Sequence, residues 1–422
     1  MSVNFKMKFL LLSNNDYDGV GQHVERLNTE LINLGHDSKA LVLNKSSNNN
    51  NVVKIKRSIL KRIFFFPLNF LKKEFYKLFS FGYAGINLDT IQDKISKSDI
   101  IIIYSFFNVL SLGTIEKLLS KKKIVYFRPL DMELASGGCH VNFDKLGNEC
   151  RKFEDNCSSC PQLNIFNIFN LSKKIFLRKK EIFEKYKPKI LVENTFTQEL
   201  YQNSLSCKKL EIKPIFLGIN EKRNTFYEKK EARKFFNFMP DEKIMLFGSF
   251  NLDAKHKGGE IIQDILEILS NKIDITEKVK LVTFGRKNSF NIGIKNIDWI
   301  HLGVINEDKK LNLLYRAADL MLSPSTGCNG PHMVIEAISN NLPVIAFDQG
   351  VAIDAIINNI NGFKINCFDK DLFAKKIYDA LFNDKFDFNN KENKKIKETF
   401  TSNYEAKEIV KISKNDLINK EL

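Results

Sequence analysis

The chain has 422 residues, 43% of them hydrophobic, and a formal net charge of +15. That length carries about two to three domains with substantial cores, and no run approaches the ~18 apolar residues of a membrane-spanning helix. The positive charge points only weakly to nucleic acid, because lysines outnumber arginines about fivefold and arginine is the better residue for bidentate phosphate recognition.

Residues 7–13 read as a buried first strand, 14–21 as a glycine-containing loop, 22–34 as a helix stopped at Gly35, and 39–43 as a second strand. Gly19 and Gly21 sit in that loop. The layout brings backbone close to a phosphate or sugar, or it is simply a tight turn. Lys6 and Lys8 precede too short an apolar run for an export signal. Residues 54–83 differ from the rest of the chain: basic residues, among them Lys61, Lys72 and Lys73, alternate with Phe64, Phe65, Phe66, Phe70 and Phe75. Such a segment suits an anionic membrane interface, single-stranded nucleic acid, or an amphipathic helix pair laid on its own domain.

Residues 99–104 form a central strand by their β-branched run. The strand 123–127 delivers Arg128 and Asp131 to a sheet edge, where both can meet a substrate and an acid can act as base or orienter for a hydroxyl. Cys139, His140, Cys150, Cys157 and Cys160 follow. With no export signal, this cluster points to a reducing, cytoplasmic setting and a thiol or metal role. The Cys-x-x-Cys pair predicts structural zinc held by Cys139, Cys150, Cys157 and Cys160, with a metal-free thiol cluster or a redox pair as alternatives and His140 as a substitute ligand. A long basic helix is predicted over 165–186 and a strand over 190–193. The crossover lies near 215–220.

The second half repeats the alternation, with strands at 243–248, 280–285, 320–323, 343–347 and 362–366 and helices between them. Helices near 369–382 and 403–418 close the chain. Alternating strands and helices in both halves predict two doubly wound parallel-sheet α/β domains, with a ligand cleft between them as the default. Lys257-Gly258-Gly259 opens a helix, where free N–H groups, the helix dipole and a lysine favour phosphate; His256 and Lys255 are further donors. A second such unit is 323–347. Its loop 326–330 leads to a helix opening at Pro331 and carrying His332 and Glu336, four apart and so on one face. Glu336 is placed to accept hydrogen bonds from ribose hydroxyls.

The stretch 323–347 resembles the signature of family 4 glycosyltransferases: Pro324-Ser325, Gly330-Pro331, Glu336-Ala337 and Pro343-Val344 match. The Lys257-Gly258 helix start resembles the same family's phosphate clamp. Arg128 to Met132, Ser136 to His140, and Cys150, Cys157 and Cys160 to Leu163 resemble a bacterial exopolysaccharide and O-antigen subgroup. The resemblance implies a GT-B fold, two Rossmann-like domains facing a central cleft. They would be an acceptor-binding domain over 1–212 and a nucleotide-sugar-binding domain over 213–397, with a last helix, 398–422, crossing back to the first. It implies retaining transfer from a nucleotide-diphosphate sugar to a lipid-linked or polysaccharide acceptor at the cytoplasmic membrane face, without catalytic metal or nucleic acid. By the same analogy Lys257 neutralises the departing diphosphate and Glu336 binds the donor ribose. Gly19, Gly21, His256, Ser325, Gly330 and His332 complete the donor site. Arg128, Asp131 and His140 meet the acceptor, Asp131 with a catalytic role. Three positions depart from the family pattern. Cys328, or Asn329 after a one-residue slip, stands at the first Glu of the paired signature. Ser249 lies near an expected arginine, and Leu130 replaces a histidine. The rival readings are a nucleotide-sugar epimerase on the same fold, which needs no acceptor, and a zinc-containing nucleic-acid binder, against which the two-domain alternation argues.

Overall fold

Unbroken apolar runs in this chain become parallel strands buried on both faces. A computed structural model describes all residues except 1–4, 18, 57–85, 105, 107–108, 144–147, 162, 164–169, 220–226, 275, 328–330 and 422. Two compact domains result, residues 1–218 with 402–422, and residues 219–401.

In the first domain the described strands are β1 (Lys8–Asn15), β2 (Asp37–Asn44), β3 (Val52–Lys54), β4 (Ile100–Ile103), β5 (Ile124–Phe127), β6 (Lys189–Val192) and β7 (Ile212–Pro214). They form a sheet in the order β3-β2-β1-β4-β5-β6-β7, with parallel pairing throughout. Successive side chains of a strand point to opposite faces, and each face here has its own core. Leu10, Leu12, Ile101 and Ile103 join Phe127, Phe176 and Phe183 in one cluster. Phe9, Leu11, Ile100 and Ile102 join Val24, Leu27, Ala406 and Ile409 in the other. The last helix, Ser402–Glu421, is thus part of the first domain's core.

The second domain has β8 (Lys243–Asn251), β9 (Val279–Arg286), β10 (Ile297–His301), β11 (Leu320–Ser323), β12 (Val344–Phe347) and β13 (Gly362–Ile365), in the order β10-β9-β8-β11-β12-β13. Its core packs Met245, Phe247, Leu281, Leu322 and Ile345 against Ile262, Ile265 and Leu269 of the Gly259–Ser270 helix. In both sheets the strand order reverses beside the domain's first strand. The carboxyl ends of β1 and β4, and of β8 and β11, are therefore the switch points where open α/β sheets bind ligands. The two-domain, doubly wound expectation holds.

Arg128 is a correction. It is fully buried, and its guanidinium donates to the carbonyls of Leu191 and Ile215 and to Glu405 Oε1. His23 Nε2 lies 3.0 Å from the same oxygen, and the Gly218 N–H donates to Glu405 Oε2 at 2.9 Å. With its donors turned inward, Arg128 bolts the last helix to the ends of β5, β6 and β7 instead of meeting an acceptor. Burial pushes the Glu405 carboxyl up, but His23 and Arg128 beside it hold it down at about 2.

Candidate functional site

The second domain builds its candidate site from two switch-point loops. After β8 the chain makes a short 3-10 turn, Lys255–Lys257, and then Gly258 adopts φ +83° as cap of the Gly259–Ser270 helix. A left-handed φ suits glycine, and space demands it too: a Cβ on Gly258 would lie 2.2 Å from the Pro324 carbonyl oxygen. The Thr326 N–H donates to the His256 carbonyl at 2.9 Å. The basic turn and the loop after β11 are therefore locked backbone to backbone. His256 and Lys257 stand half-exposed at a helix start, with Ser325, also half-buried, on the facing loop. Asp253 fixes the turn from the other side by accepting the N–H groups of Asn288, Ser289 and Phe290. The Ser289 hydroxyl and these amides hold its carboxyl at about 2.

His332 and Glu336 lie on the His332–Ser339 helix, which begins one residue later than expected because Pro331 caps it from an extended conformation. Both are half-exposed. The Tyr315 hydroxyl donates to Glu336 Oε2 at 2.8 Å, and burial pushes the Tyr315 phenol well above its ordinary value, with the Glu336 charge adding to this. Tyr315 therefore stays a neutral donor that aims the carboxylate. It was missed in the sequence because it lies 21 residues upstream on a separate helix. The Gly327 N–H donates to Gln349 Oε1 at 2.7 Å, which ties the β11 loop to the turn after β12. Gly330, Cys328 and Asn329 lie outside the described residues.

The first domain gathers a different group at the carboxyl ends of β5 and β6. Asp131 Oδ2 and His140 Nδ1 are 2.8 Å apart, and the Glu133 N–H donates to Asp131 Oδ1 at 2.8 Å. Glu193, at the end of β6, is buried and accepts from the Thr197 hydroxyl. Burial pushes its carboxyl up to about 8, against the pull of Arg128. Gly19 and Gly21 begin the Gly19–Asn33 helix. A Cβ on Gly21 would lie 2.4 Å from Asn15 Oδ1, whereas Gly19 has open space around it. Gly21 thus serves the seating of the helix on β1. Both belong to the first domain, and Lys257 and Glu336 to the second.

The zinc expectation finds no support. Among the described residues no group of three or more His, Cys, Asp or Glu side chains is placed to hold a metal ion. Cys157 and Cys160 are buried, and the Gly137 N–H donates to Cys157 Sγ at 3.1 Å. A hydrogen bond with Cys160 and burial push the Cys139 thiol well up, and burial pushes Cys157 to about 12. The basic, Phe-rich segment 54–83 lies, from residue 57 on, outside the described residues. No described helix is long and apolar enough to cross a membrane. A cavity of ≈ 1130 Å³ lined by Lys229, Arg233, Phe238 and Lys243 lies beside the amino end of β8, at the opposite end of that strand from Lys257.

Residues 228–399 match the model of the family described as glycosyl transferases group 1. The whole chain is similar in fold to sucrose-phosphate synthase from Thermosynechococcus elongatus, at 15% identity and a TM-score of 0.68 over 98% of this chain and 100% of that one. It is also similar to HepE from Anabaena in complex with UDP (13% identity, TM-score 0.57, 97% and 100% covered). A third neighbour is WaaG, a glycosyltransferase involved in lipopolysaccharide biosynthesis (13%, 0.55, 94% and 95%). No curated protein sequence matches the chain. The fold is GT-B. The family match lies on the second domain of that fold.

Proposed function

We propose that the chain is a retaining glycosyltransferase that moves a sugar from a nucleotide-diphosphate donor to a lipid-linked or polysaccharide acceptor in cell-surface glycan biosynthesis. The observation that carries this reading is the locked pair of loops in the second domain, with Lys257 at a helix start and Glu336 aimed by Tyr315. A helix N-terminus with a lysine stabilises a departing diphosphate electrostatically, and a fixed carboxylate accepts hydrogen bonds from ribose hydroxyls. His256, Ser325, Gly330 and His332 complete the donor site, and the first domain takes the acceptor. The UDP complex of HepE and the lipopolysaccharide role of WaaG support the donor and acceptor classes. The basic, Phe-rich sequence 54–83 suits the anionic inner face of the cytoplasmic membrane, where a lipid-linked acceptor would be met.

The test is thermal denaturation of the purified chain with a panel of UDP- and GDP-sugars. A bound donor stabilises as RT ln(1 + [L]/Kd), ~2.7 kcal/mol at a hundredfold excess over Kd. One class of nucleotide sugar is expected to raise Tm, and the rise is expected to shrink in Lys257→Ala. No shift with any nucleotide sugar would overturn the reading.

A further inference from the structure

The carboxyl edge of the second domain's sheet carries a cation left without a counter-charge. Arg286, the last residue of β9, is exposed, and among the described residues no carboxylate pairs with it. Its guanidinium carbon lies over the Phe250 ring, 4.6 Å from the centroid. Phe250, next to last in β8, is itself 68% exposed. A large apolar ring is thus kept at the surface with the arginine as its cover. Backbone contacts tie this pair to the basic turn. Parallel pairing sets Asn251 opposite Arg286, and the Leu252 N–H donates to the Arg286 carbonyl at 2.9 Å. The Leu252 carbonyl packs so closely on Gly259 that a Cβ there would strike it. Gly259 is the first residue of the helix that Lys257 and Gly258 lead into. One residue, Leu252, therefore joins Arg286 to the helix start beside Lys257. The neighbouring groups are engaged elsewhere. The Ser249 hydroxyl donates to the Asn251 carbonyl at 3.1 Å, Lys255 Nζ lies 3.9 Å from Glu260, and Lys287 Nζ lies over the Trp299 ring at 4.4 Å.

We infer that Arg286 is a second cation for the donor's diphosphate, contacting phosphate oxygens from the β9 side as Lys257 does from the helix side, and that Phe250 is its positioning residue. The inference rests on the nucleotide-sugar reading of the second domain. A nucleotide-sugar diphosphate carries two negative charges, and Lys257 balances one of them. A guanidinium on a ring face keeps N–H donors at its rim, in the fork that matches two phosphate oxygens. The ring also restrains a side chain whose ordering would otherwise cost conformational entropy. The released nucleoside diphosphate carries the same group, which makes UDP and GDP direct probes.

The experiment is calorimetric titration of the full-length chain with UDP and with GDP, at low and at high salt. With whichever of the two binds wild type, Arg286→Ala is expected to raise Kd about 10-fold or more at low salt, with the loss shrinking at high salt as the charges are screened. Arg286→Lys is expected to recover part of the affinity, since it keeps the charge and loses the fork. Phe250→Ala is expected to raise Kd about 2- to 5-fold, Phe250→Tyr to restore it, and Phe250→Ala to cost nothing further when Arg286 is already alanine. Lys287→Ala, which removes a neighbouring charge, is expected to stay within twofold of wild type. Arg286→Ala binding within threefold of wild type at low salt would overturn the inference. So would a loss that is equal at both salt concentrations, or a loss matched by Lys287→Ala. A Phe250→Ala loss that persists in full on the Arg286→Ala background would overturn the positioning role. Failure of the wild type to bind either nucleotide would instead count against the nucleotide-sugar reading itself.

Discussion

The roles proposed for Glu336 and Lys257 rest on what surrounds these residues more than on their own chemistry. Glu336 is a half-exposed carboxylate made directional by the buried Tyr315 hydroxyl. Removing that donor in Tyr315→Phe should cost roughly 2- to 10-fold in donor KM, the worth of one ordinary hydrogen bond. Lys257→Ala should lower kcat about 10²–10³-fold, as loss of a donor to a developing anion does. Steady-state kinetics with the stabilising nucleotide sugar check both, and near-wild-type constants would contradict them. The sequence could place Lys257 at a helix start and Glu336 one turn into a helix because both signals are local. It could not point to Tyr315, nor turn Arg128 inward, because both depend on contacts between residues far apart in the chain. Glu193 gives a prediction in pH. Its carboxyl rises from 4.5 to about 8 through burial, against Arg128 and Thr197 and with Asp131 adding to the rise. The folded chain therefore keeps a proton that the unfolded chain releases, so this residue's contribution to stability falls as pH rises from 4.5 through 8. Glu193→Gln should flatten that fall and raise Tm at pH 8.5 relative to wild type. Thermal melts at pH 5 and 8.5 read this directly, and an unchanged difference between the two pH values would contradict it.

At the scale of elements, the two turns that shape the candidate sites are backbone devices. Gly258 combines φ +83° with a Cβ position 2.2 Å from a carbonyl oxygen. Gly258→Ala should therefore cost roughly 1–3 kcal/mol and lower donor affinity by displacing the Lys255–Lys257 turn. Calorimetric melts and donor titration check this together. The last helix is held by charge as well as by Ala406 and Ile409. Glu405 binds Arg128 and the Gly218 amide, and Asp416 accepts from Tyr126 and Lys189 at 2.7 Å each. Glu405→Ala leaves the Arg128 guanidinium buried without its carboxylate, and about 3–5 kcal/mol of stability should be lost. Because Glu405 is held at about 2 against an ordinary 4.5, its contribution is present above 4.5 and fades as pH falls from 4.5 towards 2. Central strands were legible in the sequence as apolar runs such as 100–103. The short edge strands β3 and β7, three residues each, were not, since three residues show no period. The Thr195–Asn203 helix was also missed, although Asn194 caps it by accepting the Thr197 N–H at 2.7 Å. Its Asn-Thr-Phe-Thr start, an N-cap before an apolar residue, was the available signal.

For the whole molecule, alternation of strand and helix was enough to give two doubly wound domains, because buried parallel strands and their covering helices leave different periods in the sequence. The metal expectation finds no support, since cysteine spacing alone does not say whether thiols converge on an ion or pack on one another, and among the described residues no group of three or more ligands is placed to hold one. The membrane reading of 54–83 is a charge argument. Co-sedimentation with anionic vesicles should be lost on Lys61→Glu, Lys72→Glu and Lys73→Glu together, and unchanged binding would reject the segment as an anchor. The central claim is donor use by the second domain. The most direct measurement is nucleoside-diphosphate release and sugar transfer by the purified wild-type chain, and by Lys257→Ala and Glu336→Ala, across UDP- and GDP-sugars with octyl glycoside acceptors. The account predicts transfer from one donor class, lowered about 100-fold or more in both variants. Transfer at wild-type rate in both variants would contradict it, as would no transfer from any donor.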